Sequence, residues 1–90
     1  MSHLRDQPDE ALYVMSGRGD EEAFRCLVER YMNLVVGYFV HRVGGGGQQA
    51  EDLAQDVFLK LWRHAARYSV RAKFSTYLYS VAHNTLVDFM

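Results

Sequence analysis

Between Ala50 and Arg67 the chain reads AEDLAQDVFLKLWRHAAR. Its apolar residues recur at steps of three and four: Ala50, Leu53, Ala54, Val57, Phe58, Leu61, Trp62 and Ala65. That spacing places one continuous stripe on one face of an α-helix, whereas a strand needs alternation at every second residue. Alternation at period two is not sustained anywhere in the chain. The one proline is Pro8, so everything after it is free of the strongest helix breaker. An all-α fold follows. At 90 residues it is one small domain, and with 49% hydrophobic and 13% aromatic residues it can fill a helical core.

The pattern predicts a compact bundle of about four helices, at 8–16, 21–43, 49–67 and 75–90. One is short and N-terminal, two are long and antiparallel, and one is C-terminal. In the first, Pro8 suits the first helical position, Asp9 and Glu10 suit the positive helix start, and Gly17 supplies the stop. In the second, Asp20 is the expected N-cap and Gly44 the expected stop. Its stripe is Phe24, Leu27, Val28, Tyr31, Leu34, Val35, Tyr38 and Phe39. Gly44 to Gly47 lacks the spacing of a dinucleotide fingerprint, and no strand precedes it, so it reads as a flexible connection. The fourth helix carries Leu78, Val81, Ala82, Leu86 and Phe89. Asp88-Phe89-Met90 shows no stop signal, so the natural chain is expected to continue and this segment to be one excised domain.

The third helix has a second face. Asp52, Gln55, Asp56, Leu59 and Arg63 also recur at steps of three and four, with Leu59 ringed by polar groups. Two readings fit: a docking surface for a helical partner, or a solvated face with one stray leucine. Charge is uneven along the chain. The net value is -1, yet no acidic residue lies between Asp56 and Asp88. Lys60, Arg63, Arg67, Arg71 and Lys73 fall there, with His64 and His83. A locally basic C-terminal third suits an anionic partner such as nucleic acid.

Tyr68, Arg71, Lys73, Phe74, Tyr77 and Tyr79 interleave cations with aromatic rings. Bases stack on such rings while cations hold phosphates. Tyr77, Ser80 and Asn84 share one flank of the fourth helix, and the Asn84 amide can read a base edge. The alternative is that these tyrosines are boundary packing residues with wet hydroxyls.

No enzymatic set stands out, and neither a cofactor nor a metal is expected. His3, His41, His64 and His83 are not at ligand spacing, and HExxH and CxxC are absent. A metal-binding bundle built from Cys26 and the histidines is the weakest alternative. The single cysteine excludes an internal disulfide and suits a reducing setting. The N-terminus MSHLRDQPDEA lacks an apolar signal core, and no run approaches the roughly 20 apolar residues of a membrane span. Direct membrane insertion is therefore not expected.

The segments AEDLAQDVFLKLWRHAARY and FSTYLYSVAHNTLVDF, in that order, resemble region 2 of bacterial RNA polymerase sigma factors of the extracytoplasmic-function type. The residues that carry the likeness are Glu51-Asp52-Leu53, Gln55-Asp56, Phe58 and Trp62, then Leu78, Ala82 and Asn84. The upstream AFRCLVERYMNLVVGYF fits the family's preceding helix. The resemblance implies a single region 2 domain over 1–90, a cytoplasmic transcription initiation factor module and no enzyme. It implies docking on the clamp helices of the polymerase β′ subunit through Asp52, Gln55, Asp56, Leu59 and Arg63, with Trp62 packed beneath. It implies capture of a flipped base of the non-template strand of the promoter minus-ten element by the linker from Tyr68 to Lys73. Further contacts would come from Phe74, Tyr77, Ser80 and Asn84. Many family members are also sequestered by an anti-sigma factor on the same surfaces. This chain departs from the family at Tyr77, where tryptophan is frequent, and at Ser80, where a basic residue is frequent. Its linker, SVRAK, also lacks a glycine. These departures bear on base preference. The domain that reads the minus-35 element is absent from these residues, so inefficient promoter-specific initiation is expected.

Overall fold

A computed structural model describes residues 3–44, 46–69 and 71–90. Gly45 of the glycine connection and Val70 of the linker lie outside the described residues. The fold is all-α. A 3₁₀ turn at Leu4–Asp6 precedes α1 (Asp9–Gly17), α2 (Glu21–Val43), α3 (Gly47–His64) and α4 (Phe74–Phe89). A second 3₁₀ turn, Ala65–Arg67, extends α3 toward the linker.

Local chemistry sets the helix ends. Pro8 is the N-cap of α1, not its first helical residue. Its ring holds φ at -67°, its ψ stays extended at 156°, and its carbonyl accepts the first helical bond from Leu12 N–H at 3.1 Å. Gly17 is the last residue of α1, and its role is close approach. A Cβ there would lie 2.6 Å from the Ala65 carbonyl oxygen. The left-handed residue that turns the chain into α2 is Gly19, at φ +93°. Asp20 caps α2, its Oδ1 accepting Ala23 N–H at 3.1 Å.

The start of α2 packs on the end of α3, with the Phe24 and Trp62 rings edge to face at 5.1 Å. The two helices are therefore antiparallel. Leu27, Val35 and Phe39 of α2 meet Leu53, Val57 and Leu61 of α3 in one core with Leu78 and Ala82 of α4. Three residues of the expected stripes lie elsewhere. Leu34 is 55% exposed, Phe89 is exposed, and Trp62 is 37% exposed at the edge of the stripe. A helical period defines a face, but the width that neighbours cover depends on where those neighbours end.

α1 binds both helix ends that flank the linker. The fully buried Tyr13 donates its hydroxyl to the Leu61 carbonyl at 2.7 Å. Leu61 is in the last turn of α3, where carbonyls run out of helical partners. Glu10 Oε2 accepts the Phe74 N–H, the first of α4, at 2.6 Å. Asp9 holds α1 to α2 through the Arg30 guanidinium at 2.8 Å and the Tyr31 hydroxyl.

Candidate nucleic-acid and docking surfaces

The linker side carries a cleft of about 400 Å³, lined by His64, Arg67, Tyr68, Ser69, Arg71, Ala72 and Tyr77. Two tyrosines form its apolar part. Tyr68 packs on the buried Tyr13 ring at 4.7 Å and on Tyr77 at 6.0 Å, and donates its hydroxyl to the Ala72 carbonyl at 3.0 Å. Burial raises the Tyr68 phenol above its ordinary value, and the Glu10 and Asp9 carboxylates push it the same way. Burial raises Tyr13 much further. Both rings therefore stay neutral at physiological pH. Aromatic rings in general can offer a π-face to a base, and Arg67 and Arg71 stand exposed beside these two.

α4 continues this surface. Lys73, Tyr77, Ser80 and Asn84 fall at steps of four, three and four along one flank, Tyr77 half-buried and the other three exposed. Asn84 thus presents a free amide one turn and more beyond the cleft. Phe74 is the correction in this set. It is 0% exposed, its ring packed on Tyr13 at 4.9 Å and on Tyr31 at 5.7 Å, and it cannot reach a base. The aromatic–basic interleaving hid this, because residue 74 is also the first core position of α4. His64 and Arg67 belong to the cleft, and the run of charge alone did not single them out.

A second concavity lies between α2 and α3, an open apolar groove of about 750 Å³. Gln55, Phe58, Leu59 and Trp62 line one wall and Phe24, Val28 and Met32 the other, with Glu21 and Arg25 at the rim. Leu59, 52% exposed, is therefore not isolated. It projects from one wall of the groove. Trp62 is a wall residue and not a layer beneath. The opposite wall is visible in the sequence as a second row, Phe24, Val28 and Met32 at steps of four, beside the row of buried Leu27, partly buried Tyr31 and buried Val35. Asp52 and Arg63 are exposed on the same face of α3, outside the groove. Asp56 is drawn toward α4, because it pairs with Lys60 at 3.3 Å while Lys60 donates to Thr85 Oγ1 at 2.9 Å.

Residues 27–90 match the family model for sigma-70 region 2. The chain belongs to the sigma-70 region 2 family. It is 35% identical over 82 residues to the RNA polymerase sigma-H factor of Pseudomonas aeruginosa, covering 91% of this chain and 42% of that protein. It is 32% identical over 71 residues to the ECF RNA polymerase sigma factor SigW of Bacillus subtilis, covering 79% of this chain and 37% of that one. The chain therefore spans about two fifths of the length of these relatives. Among solved structures it is similar to an engineered region 2 of sigmaE in complex with GTAAAA. The TM-score is 0.83 and the identity 31%, over 99% of this chain and 90% of that one. As in a region 2 domain, the elements found here are helical throughout. No helix among the described residues is long and apolar enough to cross a membrane. Among them, no group of three His, Cys, Asp or Glu side chains converges.

Proposed function

We propose that this chain is the part of a transcription initiation factor that docks on core RNA polymerase and captures an unpaired base of the promoter minus-ten element. It acts in the cytoplasm and is not an enzyme. The observation that carries the reading is the cleft of Tyr68 and Tyr77 rimmed by Arg67, Arg71 and His64, in a family relative of a domain solved with GTAAAA. Flipping a base out of a duplex costs a few kcal/mol. Stacking returns about 1–3 kcal/mol per base. The two are close to balance, so polymerase docking, which holds the duplex open, decides whether capture occurs.

The base of the non-template strand stacks against the wall that Tyr68 and Tyr77 form in the cleft, Arg71 and Lys73 hold the backbone, and Ser80 and Asn84 contact neighbouring bases. The polymerase β′ clamp helices take the α3 face, with Leu59 in the partner's apolar surface and Asp52, Gln55, Asp56 and Arg63 around it. Fluorescence anisotropy with labelled GTAAAA, with and without core polymerase, tests the assignment. Preference over a scrambled strand is expected, weakened by added salt and lost in Tyr77→Ala. Equal affinity for both strands overturns it.

The α2–α3 groove favours a second role on the same surfaces. Six apolar side chains, Phe24, Val28, Met32, Phe58, Leu59 and Trp62, frame a trough open enough for an amphipathic helix. An anti-sigma factor laid there would exclude the polymerase. Competition between such an inhibitor and core polymerase, relieved by Leu59→Ser, is the expected signature.

A further inference from the structure

α4 presents a solvent-facing surface framed by two tyrosines on opposite edges. Tyr77 borders it on the linker side, joined to Tyr68 and Tyr13. Tyr79 borders it on the other side and packs on Tyr38 of α2 at 5.9 Å. The Arg42 guanidinium lies over the Tyr38 ring, 3.7 Å from its centroid, and donates to the Tyr38 carbonyl at 3.0 Å. The result is a cluster of cation, ring and ring at the C-terminal end of α2, with the two rings tilted by 52°. Arg42 and Tyr79 are both exposed, and among the described residues Arg42 pairs with no carboxylate. Thr76, Ser80, His83 and Asn84 lie between the two tyrosine edges, all exposed and none acidic.

We infer that the Arg42–Tyr38–Tyr79 cluster is a second nucleic-acid subsite, which takes a nucleotide flanking a strand of GTAAAA length whose base occupies the Tyr68–Tyr77 cleft. The inference rests on the nucleic-acid reading proposed above. Three features fit a nucleotide. The Tyr79 ring offers a stacking face at the protein surface. The guanidinium has N–H groups to spare beyond the one used on the Tyr38 carbonyl, and their planar array matches a phosphate. The path between the two aromatic edges crosses one helix, about 10–12 Å wide, over neutral and weakly basic side chains. A strand anchored in the cleft therefore meets no repulsive charge on its way.

The subsite predicts a dependence on strand length. Wild-type chain is titrated by anisotropy with labelled GTAAAA and with the same strand lengthened by four thymidines at either end. At least one lengthened strand is expected to bind about fivefold more tightly or better. Arg42→Ala and Tyr79→Ala should each remove that gain while leaving affinity for GTAAAA itself unchanged. Arg42→Lys keeps the charge without the planar array and should restore only part of it. Circular dichroism of each variant confirms the fold. A length-dependent gain that survives in both alanine variants overturns the subsite, and so does the absence of any gain. If GTAAAA fails to bind the wild type, the cleft reading falls instead. The subsite is then judged by whether the lengthened strands bind wild type more tightly than the two alanine variants.

Discussion

Glu10→Ala measures how far α4 and the linker depend on α1. α4 begins at Phe74, and its N-cap, Lys73, makes no capping bond with its side chain. The first-turn N–H groups of a helix have no partners within it. Here the Phe74 N–H is satisfied by Glu10, whose carboxylate reaches across 64 residues of chain to a distance of 2.6 Å. The negative charge also lies at the positive end of the α4 dipole. Removing an N-cap acceptor costs about 0.5–2 kcal/mol, and a hydrogen bond to a charged group is worth about 1.5–3 kcal/mol. The site is only partly buried, so solvent can replace some of the bond. The expected loss is about 1–2 kcal/mol, the upper part of the range for a lost N-cap acceptor. In a domain of this size each kcal/mol moves the midpoint by about 4–8 °C, so Tm should fall by roughly 4–16 °C.

Glu10→Gln keeps an acceptor oxygen without the charge and should lose less. Thermal melts followed by far-ultraviolet circular dichroism give both numbers. A Glu10→Ala midpoint within about 2 °C of the parent chain would refute the capping argument. A second readout is independent of stability. Burial is the main cause of the raised Tyr68 phenol, and Glu10 is the next. In Glu10→Ala, Tyr68 should therefore titrate at lower pH than in the parent chain, closer to its ordinary value.

Gly17→Ala places a methyl 2.6 Å from the Ala65 carbonyl oxygen and 2.8 Å from its carbon, both backbone atoms. Overpacking of this kind costs about 1–3 kcal/mol, and a urea midpoint equal to that of the parent would contradict it. Stability should decline in alkali. Burial, and then the hydrogen bond to Asp9, raise the Tyr31 phenol from 10.0 to about 12. A raised phenol favours the neutral, folded form, so its contribution is complete below pH 10 and is lost as pH rises toward about 12. A flat stability profile across that window, measured by urea melts, would count against it. Asp52→Arg reverses charge at an exposed α3 position that makes no ion pair among the described residues. It should leave Tm nearly unchanged and abolish binding to core polymerase in a pull-down. Retained binding would remove the α3 face from the docking surface.

The helices were legible because their period is local. The stripe of α3, the Asp20 cap and the Tyr77–Ser80–Asn84 flank all depend on residues three or four apart. What the pattern could not supply was the identity of distant neighbours. Tyr13 looks like any apolar residue of a short helix until its hydroxyl is seen on Leu61, 48 residues away. Phe74 reads as part of a basic aromatic run, yet Tyr13 and Tyr31 enclose it. Local geometry mattered too. An α-helix continued through Arg67 advances about 100° per residue, whereas the 3₁₀ turn at Ala65–Arg67 advances about 120°. That difference turns Arg67 relative to the expected face, and Arg67 lines the cleft with His64.

The family match begins at residue 27, after the end of α1. The contacts of α1 nonetheless bracket the linker. Tyr13 satisfies a carbonyl at the end of α3, Glu10 satisfies the first N–H of α4, and Gly17 lies against Ala65 in the 3₁₀ turn between them. Tyr13 also forms the floor on which Tyr68 and Tyr77 pack, at 4.7 Å and 5.9 Å. The two rings of the cleft are thus held by a helix that offers no side chain of its own to the cleft surface. A base stacks well only on rings already fixed in place, since ordering them at the moment of binding would cost conformational entropy. α1 therefore belongs to the same folding unit as the matched segment, and under the proposed function its contribution would be to set the rings before the base arrives.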